Sequence, residues 1–107
     1  MQSLNGKVAL VTGSTRGLGR TTAEWLARDG AAIIVTGRGE AEVAESVAAI
    51  KALGVDAWGI PADLSIVAEA HRLAEAAIAA VPQVDILVNN AGGSIRGNFW
   101  DYTDADW

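Results

Sequence analysis

Apolar residues fall along this chain in short blocks, and the spacing inside each block separates strands from helices. Residues 8–11 (VALV) form an unbroken apolar run behind the Asn5-Gly6 turn signal. A run that short, bounded by turn residues, predicts a strand buried on both faces. The period then changes. Leu18, Thr22 and Leu26 recur at i, i+4 and i+8, and Gly30 stands where a helix would stop. That spacing predicts a helix over 17–29 with those three side chains inward. AAIIVT at 31–36 is a second buried strand. Residues 40–53 predict a second helix, with Val43, Val47 and Ile50 on one face and Gly54 beyond its end. Its acids cluster in the first turns, where the helix dipole favours them. A weaker third strand spans 55–60 and stops at Pro61. Ser65 fits the N-cap of a third helix running to about Ala80. Residues 84–88 are a fourth buried strand, ending in Asn89-Asn90-Ala91-Gly92, and Thr103 fits the N-cap of a further helix.

The order is β-α-β-α-β-α-β. Strands alternating with helices imply an α/β fold, a Rossmann-like doubly wound parallel sheet with right-handed crossovers. The first two helices should cover one face of the sheet and the third the other, because the chain reverses direction between strands three and four. No repeat, linker or low-complexity stretch interrupts residues 1–107, which read as a single unit.

Composition narrows the function classes. The 107 residues are half apolar and one-fifth charged, which suits one small globular domain. A net charge of −5 argues against broad nucleic-acid binding. With no cysteine and one histidine, neither thiol chemistry nor a cysteine- or histidine-rich metal site is available. His71 reads as solvent-facing, and Trp25, off the Leu18/Leu26 stripe, as a surface or interface residue. The N-terminal MQSLNGK lacks an apolar signal region, and no apolar run approaches the ~18 residues of a membrane span. A soluble, cytoplasmic protein without membrane partners is the expectation.

In open parallel sheets, ligands bind beyond the carboxyl ends of the strands, and the unusual residues fall there. After the first strand comes Gly13-Ser14-Thr15-Arg16-Gly17-Leu18-Gly19. Glycines at the turn, at the close approach and at the helix-to-strand contact let a pyrophosphate reach backbone N–H groups at a helix start. The P-loop pattern fails here. Its first glycine would fall on Ser14, and its lysine is Arg20. After the second strand, where an acid would bind the 2′-hydroxyl of NAD, stands Arg38. With Arg16 it offers two cations to a 2′-phosphate, favouring NADP(H) over NAD(H). Asp63-Leu64 follows the third strand, with an acid able to accept from an adenine amino group. Asn90, Ala91 and Gly92 follow the fourth. Plain turns and solvated surface arginines are the competing structural readings of these residues.

Together, Thr12-Gly13-x-x-x-Gly17-x-Gly19, Asp63-Leu64 and Asn89-Asn90-Ala91-Gly92 resemble the short-chain dehydrogenase/reductase family, in its shorter single-domain branch. The resemblance implies that residues 13–19 cradle an NAD(P) cofactor and that Asp63 meets adenine with Leu64 beside it. It also implies that Asn90, Ala91 and Gly92 line the ribose and nicotinamide side. It further implies hydride transfer between nicotinamide and a carbonyl or alcohol substrate, in a protein that assembles as a homo-oligomer. The family's serine, tyrosine and lysine catalytic set has no match. The lone tyrosine, Tyr102, is followed four residues later by Asp106, and the lysines are Lys7 and Lys51. No residue is therefore assigned a catalytic role, and the chain reads as the cofactor-binding N-terminal part of such an enzyme. A non-catalytic dinucleotide-binding module of the same fold is the alternative.

Overall fold

VALV forms β1 (Val8–Val11) at the centre of a sheet in a computed structural model that describes residues 3–90. Helix α1 (Gly17–Arg28) follows, then β2 (Ala32–Val35), α2 (Glu40–Lys51), β3 (Ala57–Gly59), α3 (Val67–Ala80) and β4 (Ile86–Val88). The four strands are parallel in the order β3-β2-β1-β4, so β1 is flanked by β2 and β4 and the direction of winding reverses after β3. This is the doubly wound α/β arrangement that the alternation of strands and helices implies.

Because side chains alternate along a strand, β1 and β2 feed two separate cores. Ala9, Val11, Ile33 and Val35 face α1 and α2, where Ala23, Ala27, Val43 and Ile50 complete a cluster that excludes water. Leu10 and Ile34 face the opposite side, where Leu73, Ala77 and Val81 at α3 pack with Ile60 and Ala62. Two helices thus cover one face and one covers the other, as expected. Register places Leu87 beside Leu10 on the α3 face. Among the described residues β4 pairs only with β1, and Leu87 is 66% exposed.

Three expectations are corrected. The inner face of α1 is Gly19, Ala23 and Ala27, while Leu18 is 71% exposed and Leu26 only half-buried. The helix lies so close to the sheet that small residues, not the leucine stripe, make the contact. Ser65 does not cap α3. The helix begins at Val67 behind an extended Ile66, and the Ser65 hydroxyl is spent on Asp63 instead. The third and fourth strands are shorter than their apolar runs, because the sheet ladder reaches only Ala57–Gly59 and Ile86–Val88. Trp25 and His71 are exposed, as expected. Ala91, Gly92, Tyr102 and Thr103 lie outside the described residues. No helix among the described residues is long and apolar enough to cross a membrane.

Candidate functional site

The loop from β1 into α1 is built by two glycines in the left-handed region, Gly13 at φ 59° and Gly17 at φ 61°. A Cβ on Gly17 would meet nothing within 4 Å, so the ground above the helix start is open. Arg16 stands at the N-cap in extended conformation without a side-chain cap, and the first turn of α1 holds no acid. The N-terminal N–H groups and the dipole there suit an anion.

Underneath, Ser14 is fully buried. Its hydroxyl donates to the Val11 carbonyl at 2.7 Å and accepts the Thr36 N–H at 3.1 Å, while its own N–H donates to the Thr36 carbonyl at 3.0 Å. Ser14 therefore anchors the loop to the end of β2 from below. Thr15 is wedged against the next residue of that strand end: a Cβ on Gly37 would lie 2.8 Å from Thr15 Cγ2. The neighbours of this contact are Arg16 and Arg38, both exposed.

On the other side, Thr12 joins β1 to β4. Its hydroxyl accepts the Asn90 N–H at 2.7 Å and reaches the Val88 carbonyl at 3.3 Å and Asn89 Oδ1 at 3.2 Å. Asn90 Nδ2 would sit 2.7 Å from a Cβ on Gly19, so Gly13, Gly19 and Asn90 converge at one point.

Beyond β2 and β3 opens a cleft of about 430 Å³, lined by Arg38, Glu40, Asp63, Glu69, Arg72 and the Pro61-Ala62 turn. Asp63 Oδ1 accepts the Ser65 hydroxyl at 2.7 Å and the Ser65 N–H at 3.0 Å. These two bonds, hydroxyl first, hold the Asp63 carboxyl below the usual carboxylate range, and the Arg38 charge adds a smaller pull. Glu69 accepts from Arg72 at 2.8 and 3.0 Å and from the Asp63 N–H at 3.4 Å, and Arg72 also donates to the Pro61 carbonyl. The Arg72 guanidinium holds Glu69 below its ordinary range and is itself raised by that partner. An exposed pair of this kind adds little stability, but it ties both ends of the Pro61-to-Asp63 turn to α3. Leu64 is half-buried against the α3-side core.

Ser65→Ala should move the Asp63 midpoint up toward that of an ordinary aspartate, read by carboxyl NMR titration. The sign follows from the depressed value. The Ser65 bonds favour the folded state above the unfolded aspartate's pKa, and their contribution fades as pH falls through the folded one. An Asp63 midpoint unmoved by the substitution would remove Ser65 as the cause.

Some of these contacts carried no signal in the pattern of residues. Ser46 occupies a buried position on the inner face of α2, and its only trace in the sequence is a polar residue at i+3 from Val43. Thr36 Oγ1 is buried without a hydrogen-bond partner among the described residues. Thr36→Val, which replaces that hydroxyl by a methyl of similar shape, should raise stability by roughly 1 kcal/mol in a denaturant melt. A loss of stability would show that the hydroxyl is in fact satisfied.

A sequence profile of the short chain dehydrogenase family matches residues 7–107. The chain belongs to this family. A ketoacyl reductase, HetN, from a Nostoc species is 37% identical over 106 residues, covering 99% of this chain and 37% of its own. Among solved structures, the complex of Pseudomonas aeruginosa RhlG with NADP superposes with a TM-score of 0.81 at 43% identity, over 86% of this chain and 37% of that one. A 3-oxoacyl (acyl-carrier-protein) reductase from Agrobacterium tumefaciens with NADP bound gives 0.79 at 40% identity, over 98% and 40%. The short-chain dehydrogenase match therefore spans about two-fifths of the length of these relatives, and it falls on the Rossmann part of the family.

Proposed function

We propose that residues 1–107 form the NAD(P)-binding unit of an NADP(H)-dependent oxidoreductase acting on a carbonyl or alcohol substrate. The observation that carries this reading is the Thr15–Gly37 contact. It brings the glycine loop and the end of β2 together with a cation on each, Arg16 and Arg38, and with no acid at the strand end. The two NADP-bound relatives support the same cofactor.

The open ground above Gly17 fits the approach of a pyrophosphate to the backbone, with Gly13, Thr15, Leu18 and Gly19 shaping the cradle and Ser14 supporting it. Arg16 and Arg38 would hold the 2′-phosphate. Asp63 and Leu64 would border the adenine, and Asn90 the ribose and nicotinamide side, with Ala91 and Gly92 assigned there by the family motif. When bound, the nicotinamide supplies or accepts the hydride. The residues of this chain bind and orient it. The substrate's own contacts, and assembly as a homo-oligomer, belong to the protein as a whole. A cytoplasmic setting, without nucleic-acid or membrane partners, fits the composition.

Fluorescence titration of the purified protein with NADPH and NADH tests the reading. Binding of NADPH at least about tenfold tighter is expected from one well-placed charge-assisted phosphate contact. Equal affinities would overturn the NADP(H) assignment, and no binding of either would overturn the cofactor site.

A further inference from the structure

We infer, on the basis of the NADP(H) reading above, that Arg20 and Ser46 form a strut that sets the spacing of Arg16 and Arg38. The two are thereby positioning residues for recognition of a ribose 2′-phosphate. Ser46 is 1% exposed and stands with Val43 and Ile50 among the buried residues of α2, within hydrogen-bond reach of Arg20 on α1. A hydroxyl at such a position needs partners, and it has one for each of its roles. It accepts from Arg20 Nη1 at 3.2 Å and donates to the Thr15 carbonyl at 3.5 Å. Arg20 is oriented in turn by Glu24, one helical turn on, through Nε at 3.0 Å. The chain of contacts therefore runs from α1 through α2 to the backbone of the glycine loop.

Thr15 is gripped from two sides. Its carbonyl meets Ser46 and its side chain fills the space that a Cβ on Gly37 would need. Arg16 is the next residue along one strand of this contact and Arg38 the next along the other. Moving Thr15 by a fraction of an ångström changes the distance between the two guanidinium groups. A phosphate shared by two cations depends on that distance, whereas a nucleotide lacking the 2′-phosphate does not. Neither Arg20 nor Ser46 needs to touch the cofactor to act in this way.

The test uses two adenosine fragments that need no substrate and no turnover. Adenosine 2′,5′-bisphosphate and 5′-AMP are titrated calorimetrically into the purified protein, its Ser46→Ala variant and its Arg20→Gln variant. The readout is the ratio of the two affinities. In the parent protein the bisphosphate should bind more tightly. In each variant that ratio should fall by roughly threefold to tenfold, the scale of one lost hydrogen bond, while AMP affinity stays within about twofold of the parent's. A purely structural role would weaken both ligands in parallel and leave the ratio unchanged, and that result overturns the strut. Arg20 is partly exposed at the side chain, so Arg20→Gln keeps the question open to decision if Ser46→Ala does not fold. A parent ratio near one would instead overturn the two-arginine reading itself, and the strut with it. A clear parent preference with unchanged variants would overturn the strut alone.

Discussion

Gly19→Ala should lose dinucleotide binding by more than about tenfold and destabilise the fold by roughly 2 kcal/mol or more, the range of overpacking against a rigid neighbour. The added Cβ would lie 2.1 Å from the Gly13 carbonyl oxygen and 2.8 Å from its carbon, both backbone atoms, and 2.7 Å from Asn90 Nδ2. No rotamer change relieves a clash with main chain. The start of α1 would have to move away from the loop, taking the Gly17 N–H and its neighbours off the position where a phosphate meets them. Gly54→Ala supplies the control. Its φ of +95° makes the substitution strained, but nothing lies within 4 Å and it stands past the end of α2, away from the loop. It should destabilise by about 1 kcal/mol and leave cofactor affinity unchanged. Paired thermal melts and NADPH titrations read both. A Gly19→Ala protein that melts and binds like the parent would refute the close approach of α1 to the loop.

Such a close approach explains which parts of the molecule were legible in the chain. The alternation of apolar runs with helical periods anticipated each of the seven described elements and the parallel sheet, because burial on both faces leaves a strand few ways to be written. The inner face of α1 was misread for the same reason that Gly19 matters. A helix pressed against backbone presents glycine and alanine, which carry almost no hydrophobic signal, while Leu18, the strongest signal in that stretch, is 71% exposed. Ser65 was misread because serine serves equally well as a helix cap or as a partner for a carboxylate two residues back, and only geometry separates the two. At the site, Gly13, Gly17, Arg38 and Asp63 stand out by residue type and place. Ser46, Glu69 and Arg72 do not, and Thr12 stands out only as the first residue of the glycine motif, not for the contacts it makes. The contacts of Thr12 with Asn90 and of Ser46 with Arg20 join segments far apart in sequence, which no local pattern records. Glu69 and Arg72 pair with each other and with the nearby Pro61-to-Asp63 turn, and there only the geometry of the turn separates them from ordinary surface charges.

Arg38→Asp should reverse the cofactor preference. Arg38 lines the cleft with Asp63 and Glu40, and Arg72 in the same cleft is already held by Glu69. Arg38 is thus the cation of the cleft without an ion-pair partner among the described residues. Exchanging it for an aspartate removes one attraction for a 2′-phosphate and adds a repulsion beside acids already present. NADPH affinity should drop by roughly tenfold to a hundredfold, the scale of losing a charge-assisted contact and facing a like charge. The new carboxylate can instead accept from the 2′-hydroxyl of NAD, so NADH affinity should hold or rise. Two further readouts separate this from a general loosening of the site. NADPH binding by the parent should weaken with added salt, and binding by the variant less so, because screening acts on the phosphate–arginine attraction. Asp63 should titrate higher in the variant, since the Arg38 charge is one of the pulls that lower it. An unchanged ratio of NADPH to NADH affinity, in a variant that folds normally, would show that Arg38 is a solvated surface arginine and that the preference, if any, lies elsewhere in the loop.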